Sequence, residues 1–124
     1  MVTASLKNYR TAPRKMRLAA DMIRGKSVAQ ASLILAHADK KGRHPISALL
    51  DSAVANAVNN FKLDKDTLVV KEIRIDQGIV LKRFKPVSRG SAHPIKKRTS
   101  HVSITLAPAE QSKGQRAKKS KAAN

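Results

Sequence analysis

The sequence predicts an α+β fold: a three-stranded antiparallel sheet with three helices on one face and a long protruding β-hairpin. Three observations carry this. Apolar residues recur at helical spacing in three successive segments between residues 13 and 60, whereas β-type alternation marks 2–7, 68–76 and 100–106. In chain order these read strand, three helices, strand, strand, which fits helices laid on one antiparallel sheet. Between the last two strands, the 21 residues from Gly78 to Arg98 hold seven Lys or Arg and no Asp or Glu. Such a segment is too poor in apolar residues to pack on itself. It reads as the far end of a hairpin that stands in water or against a polyanion.

Each element has its own signal. Val2, Ala4 and Leu6 alternate with Thr3, Ser5 and Lys7, as in a half-buried strand. Pro13 suits the first turn of a helix, where its missing N–H costs nothing, and Met16, Ala19, Ala20 and Ile23 follow at helical spacing. Gly25 stops that helix. Ser27 with Gln30 three residues on predicts a capping box for the second helix, whose inner stripe is Ala31, Ile34, Leu35 and Ala38. Pro45 is expected to open the third helix, with Ile46, Leu49, Leu50, Ala53, Val54 and Ala57 inward and an end near Asn59 or Asn60. Lys62 to Asp66 is a loop. Leu68 to Asp76 is a strand with Val69, Ile73 and Ile75 expected on one face, and Gly78 marks a bulge. Val102, Ile104 and Leu106 alternate with Ser103 and Thr105 in the last strand.

The 124 residues suffice for one modest domain, expected over 1–106, followed by a disordered basic tail over 107–124. Lys plus Arg number 26 against 8 Asp plus Glu, a net charge of +18 that calls for a polyanionic partner. The excess is concentrated in residues 1–26, 78–98 and the tail, while the middle is nearly neutral: a folded core with basic appendages. There is no Cys, hence no disulfide or thiolate metal site, and a reducing, cytoplasm-like compartment is expected. No apolar run approaches a membrane span, and no signal or transit pattern opens the chain, so membrane insertion is not expected. Tyr9, Phe61 and Phe84 are the only aromatics. A large stacking platform for single-stranded bases cannot be built from them, which points to recognition of backbone and shape.

No catalytic constellation emerges, and neither an enzyme, a metal nor a cofactor is expected. Asp64 and Asp66 sit together in a loop, as solvated turn residues do. His37, His44, His93 and His101 lack metal-ligand spacing. The chemistry lies in the basic segments. Arg10, Arg14, Lys15, Arg17, Arg24 and Lys26 cluster around the first helix with only Asp21 among them, whereas an ordinary solvated face mixes signs. In the finger, Lys82, Arg83, Lys85, Arg89, Lys96, Lys97 and Arg98 are unopposed, and Gly78, Gly90, Pro86 and Pro94 suit a backbone that bends against another surface. About ten residues outward would reach ~33 Å. Charge alone leaves nucleic acid, an anionic membrane surface and an acidic protein open as partners, and a free architectural protein that coats or bends nucleic acid would share this charge. A membrane-active reading is disfavoured by the lack of aromatic anchors.

Four stretches resemble the universal large-subunit ribosomal protein L twenty-two family, bacterial type: YRTAPRKMRLAADMIRGKSVAQA, LLDSAVANAVNN, VVKEIRIDQGIVLKRFKP and IKKRTSHVSITL, in the family's order. The resemblance implies a small α+β domain on large-subunit rRNA, near the polypeptide exit. It implies a hairpin lining the nascent-chain tunnel and a role in subunit assembly. Partners implied are large-subunit rRNA, neighbouring large-subunit ribosomal proteins and the nascent polypeptide, with no homo-oligomer. The place is the cytoplasmic large subunit, an organellar ribosome remaining open. By position, the resemblance adds Asn56, Asn60 and His101 to the basic residues above as rRNA-binding. It makes Pro86, Val87, Ser88, Arg89, Gly90, Ser91 and Ala92 the tunnel tip. Ala12 stands where members usually have a capping Ser, and Val87 and Ser91 where the tip is usually basic. The lysine-rich tail is an addition.

Overall fold

The computed structural model describes residues 1–109. The chain runs β1 (Val2–Tyr9), α1 (Pro13–Ile23), α2 (Val28–His37), α3 (Arg43–Phe61), a short 3-10 turn (Lys65–Thr67), β2 (Leu68–Pro86), a tip turn (Ser88–Gly90) and β3 (Ala92–Pro108). The strands form one antiparallel sheet in the order β1-β3-β2, so the last strand is central. β2 and β3 are joined as a hairpin, and β1 takes the free edge of β3 rather than that of β2. One continuous core lies between the helices and the sheet. Met16, Ile23, Leu35, Ile46, Leu50, Leu68, Ile104 and Leu106 are its largest fully buried members, with Val2, Val28, Val70 and Val102 beside them.

The helix boundaries follow local chemistry. α1 begins at Pro13 as expected, and its N-cap Ala12 makes no side-chain cap bond. The Ser27 hydroxyl accepts from the Gln30 N–H at 3.3 Å, which is the N-cap half of the expected capping box. α3 starts at Arg43, two residues before the expected Pro45. Proline still falls within the first turn, where no intrahelical N–H is required. The helix ends at Phe61 because Lys62 turns left-handed (φ 54°). Ala53 and Ala57 face inward with no exposure, so small side chains let α3 lie close over β1 and β3. Asp64, read as a turn residue, caps the 3-10 turn by accepting from the Asp66 N–H.

The face of β2 is the main correction to the sequence reading. Val69 was expected to share the core face with Ile73 and Ile75. Instead Leu68 and Val70 are buried with them. Val70 pairs with Leu106 and Glu72 with Thr105, leaving Lys71 as an extra residue. This bulge flips the alternation, because side chains change face at every residue. Two further bulges follow. One lies in β2 between Gln77 and Val80, at the Gly78 position expected, and the other in β1 between Leu6 and Tyr9. Asn8 sits in the β1 bulge with φ 56°, a left-handed conformation that Asn tolerates better than most residues.

Beyond these bulges β1 stops and the β2–β3 pair continues as a two-stranded ribbon from Val80↔Arg98 to Pro86↔Ala92. The expected strands at 68–76 and 100–106 are thus the root of longer ones. The ribbon extends ~20 Å from Val80 to Pro86 at the usual strand rise. No residue from Ile79 to Arg98 is buried. β3 also takes in Ala107 and Pro108. The expected tail beyond Ala109 lies outside the described residues.

Candidate nucleic-acid interface

Three hydrogen bonds at the root of the ribbon fix where it points. They come from three consecutive residues of β3. The Thr99 hydroxyl donates to the Ile79 carbonyl at 2.6 Å, locking the β2 bulge. The Ser100 hydroxyl donates to the Thr11 carbonyl, pinning the β1–α1 connection. The His101 Nδ1 accepts from the Asn8 N–H at 3.1 Å, closing the β1 bulge. Thr99 and Ser100 are buried although polar, and each is satisfied by its bond. Gly78 packs into this node so closely that a Cβ there would lie 2.4 Å from Thr99 Oγ1.

The node opens a cleft of about 710 Å³ between the ribbon and the start of α1. Its charged lining is Arg10, Lys15, Lys41, Arg83, Lys96, Lys97 and Arg98, seven cations without an acid. Among the described residues the ion pairs are Arg24–Asp21 and Arg74–Glu72, both elsewhere, so none of the cleft cations is neutralised. The N-terminal end of α1 also contributes to the wall through Thr11 and Ala12. The positive end of the helix dipole adds to the field there, and Ala12 brings no side-chain oxygen to mask it.

Lys41 was missed by the sequence reading. It belongs to the α2–α3 loop, far in sequence from the other cations. Gly42 brings it in: a Cβ at Gly42 would lie 3.2 Å from Met16 Sδ and 3.3 Å from Ala19 Cβ, so the loop lies tightly on α1. The only sequence signal was the Lys40–Lys41 pair itself.

The ribbon carries charge on both faces. Directly opposed residues share a face and successive pairs alternate. Val80/Arg98, Lys82/Lys96 and Phe84/Pro94 therefore share one face, and Leu81/Lys97, Arg83/Ile95 and Lys85/His93 the other. At the tip, Val87 N–H donates to the Ser91 carbonyl at 2.9 Å, and both Arg89 (φ 60°) and Gly90 (φ 70°) are left-handed. Pro86, Ser88, Arg89, Gly90, Ser91 and Ala92 are exposed, and Val87 is half-buried.

The remaining expected residues lie elsewhere. Arg17 and Arg24 do not point freely outward: they donate to the Ile75 and Ile73 carbonyls at 3.1 and 3.0 Å, docking α1 on β2. Arg14 is exposed on α1, and Lys26 sits in the α1–α2 turn, where its carbonyl accepts from Val70 N–H at 2.9 Å. Asn56 and Asn60 are hydrogen-bonded to each other and line an uncharged groove with Thr3, Ser5, Ser52 and Asn59. No group of three or more metal-ligating side chains occurs among the described residues.

The model of the family described as ribosomal protein L22p/L17e matches residues 4–107. The chain belongs to this family. The matched span begins in β1 and ends in β3, so it takes in the sheet, all three helices and the whole ribbon. A curated L22 relative, the large ribosomal subunit protein uL22 of Pediococcus pentosaceus, is 48% identical over 103 residues. The alignment covers 83% of this chain and 87% of that protein. Within the L22 match, the string KRTSH divides physically. Lys97 and Arg98 line the cleft, while Thr99, Ser100 and His101 make the root bonds.

Proposed function

We propose that this chain, a ribosomal protein of the large subunit in the cytoplasm, binds large-subunit rRNA through the acid-free cleft and both faces of the ribbon. In this reading the tip, Pro86 to Ala92, lines the nascent polypeptide exit tunnel. The ribbon orders between rRNA segments as the subunit assembles, beside neighbouring large-subunit proteins. The observation that carries the reading is the two-sided distribution of unpaired cations. Arg98, Lys82 and Lys96 stand on one face and Lys97, Arg83 and Lys85 on the other. A protein lying on an RNA surface needs charge on one side only. A ribbon charged on both sides, with no core of its own, is suited to insertion between two polyanionic walls.

The mechanism is electrostatic and the role structural. Each Lys or Arg that meets a phosphate releases condensed counterions, which makes affinity fall steeply with salt. Arg10, Lys15 and Lys41 contribute from the domain side of the cleft. Arg17 and Arg24, their guanidiniums held by strand carbonyls, present remaining N–H groups at the edge of α1. Arg14, Lys26 and His101 add contacts around them, and the uncharged groove at Asn56 and Asn60 offers hydrogen bonds to RNA sugar or base edges. Arg89 extends the charge to the tip.

The test is equilibrium binding of the full chain to large-subunit rRNA across a salt series, together with co-sedimentation with the large subunit. Six or more phosphate contacts give a log–log slope of about −4 or steeper. A chain that stays out of the large subunit at physiological salt overturns the reading. A density map of the subunit placing residues 86–92 away from the tunnel overturns the tip assignment alone. Lys41→Ala provides a finer check. It is expected to reduce the slope by about 0.7–0.9 while changing stability by less than ~0.5 kcal/mol, as read from rRNA titrations and a thermal melt.

A further inference from the structure

We infer that Phe84 and Pro94 form a stacking platform for one unpaired rRNA nucleotide, whose phosphate sits between Lys82 and Lys96. This rests on the rRNA-binding reading above and adds a base-level contact to it.

The observation is an apolar rung in a cationic ribbon. Phe84 is 78% exposed, more than any other large hydrophobic side chain described. Isolated exposed apolar residues are ordinary on protein surfaces. This one differs in its neighbours. Its directly opposed cross-strand partner is Pro94, so neither side chain at that rung is polar. One rung toward the root on the same face, Lys82 stands directly opposite Lys96. Like charges directly opposed across a strand pair repel and weaken the pairing. In the isolated chain this rung therefore destabilises the ribbon, and an anion between the two ammonium groups would relieve it.

The two rungs are ~7 Å apart, two residues along the strand. Together they present an anion site beside a flat apolar surface. A nucleotide unstacked from its helix has this composition, with a phosphate joined through a sugar to a planar base. A nascent peptide could cover Phe84, but an uncharged backbone would leave the Lys82–Lys96 repulsion in place, so RNA is the better occupant. The sequence held too few aromatics for an extended single-strand platform. A single base needs only one.

The test uses the full chain with Phe84→Ala, Phe84→Leu and Phe84→Trp, each titrated with large-subunit rRNA over a salt series. Phe84 contributes nothing to the core, so all three variants are expected to melt like the parent. Loss of one base stack corresponds to roughly a tenfold to hundredfold weakening. Phe84→Ala and Phe84→Leu should both show it with an unchanged salt slope, because no phosphate contact is removed. Phe84→Trp should bind like the parent, and its fluorescence should be quenched by the stacked base. If Phe84→Leu binds as tightly as the parent, the contact is apolar rather than stacked and the inference fails. It fails also if Phe84→Ala binds like the parent, or if the tryptophan fluorescence does not respond to rRNA. A parent chain without a steep salt slope would sink the rRNA-binding reading itself, a result distinct from these.

Discussion

Replacing residues 82–96 by an Asn-Gly turn that joins Leu81 to Lys97 is expected to leave the domain folded and to strip most of its grip on rRNA. Leu81 and Lys97 are already directly paired, so a two-residue turn can close the ribbon there without moving either strand. Nothing excised belongs to the core. Every removed side chain is exposed except Val87 and Ile95, which are half-buried. The root bonds of Thr99, Ser100 and His101 lie on the retained side. Five cations leave with the ribbon: Lys82, Arg83, Lys85, Arg89 and Lys96. If each meets a phosphate, the salt slope of rRNA binding falls by about 4. A thermal melt and an rRNA titration read the two halves of this expectation separately. A domain that unfolds on excision would mean the ribbon is part of the core, contrary to its exposure. A slope unchanged by excision would mean that the retained cleft cations, Arg10, Lys15, Lys41, Lys97 and Arg98, carry the binding without Arg83 and Lys96.

Gly78→Ala is expected to do the opposite: to keep every charge and damage the fold at the ribbon root. The new methyl would arrive 2.4 Å from Thr99 Oγ1, 3.2 Å from His101 Cε1 and 3.3 Å from Asn8 Oδ1. Thr99 cannot yield cheaply. It is β-branched, buried, and held by its bond to the Ile79 carbonyl at 2.6 Å. Rotating it away leaves a buried hydroxyl without a partner, and forcing the strands apart strains the bulge. Either route costs ~2 kcal/mol or more, which lowers the melting temperature by several degrees in a domain of this size. Thr99→Ala alone should cost less, and combined with Gly78→Ala it should recover part of the loss. That non-additivity is the signature of a direct clash. Additive losses in the double variant would show that Gly78 acts through something other than Thr99.

These two substitutions separate what the sequence makes legible from what it does not. The helices were legible because their apolar residues recur at a period that only one local structure satisfies. Met16, Ala19, Ala20 and Ile23 on α1 and the inward row of α3 are all buried as the period requires. The face of β2 was not, because a bulge at Lys71 inserts one residue and reverses the alternation, and no residue type announces it. The hairpin was legible, but its regular strands were expected only over 68–76 and 100–106, whereas the pairing runs out to Pro86 and Ala92. Its cations conceal the alternation of a ribbon, since both faces are solvent-facing and neither is required to be apolar. Arg17 and Arg24 were legible as cations but not as docking groups, because a carbonyl acceptor on a distant strand leaves no mark in the local sequence.

Residue identity and local order suffice for the family, the helices and the excess of positive charge. The acid-free stretch from Gly78 to Arg98 carries its meaning without a structure. Which cations lie side by side is set by tertiary packing. Arg10 with Lys15, Lys41, and Arg98 come from three separate parts of the chain, and they meet because Gly42 lies on α1 and Ser100 pins the β1–α1 connection to β3. Contacts of that kind are set by packing between distant segments, which composition and periodicity do not encode.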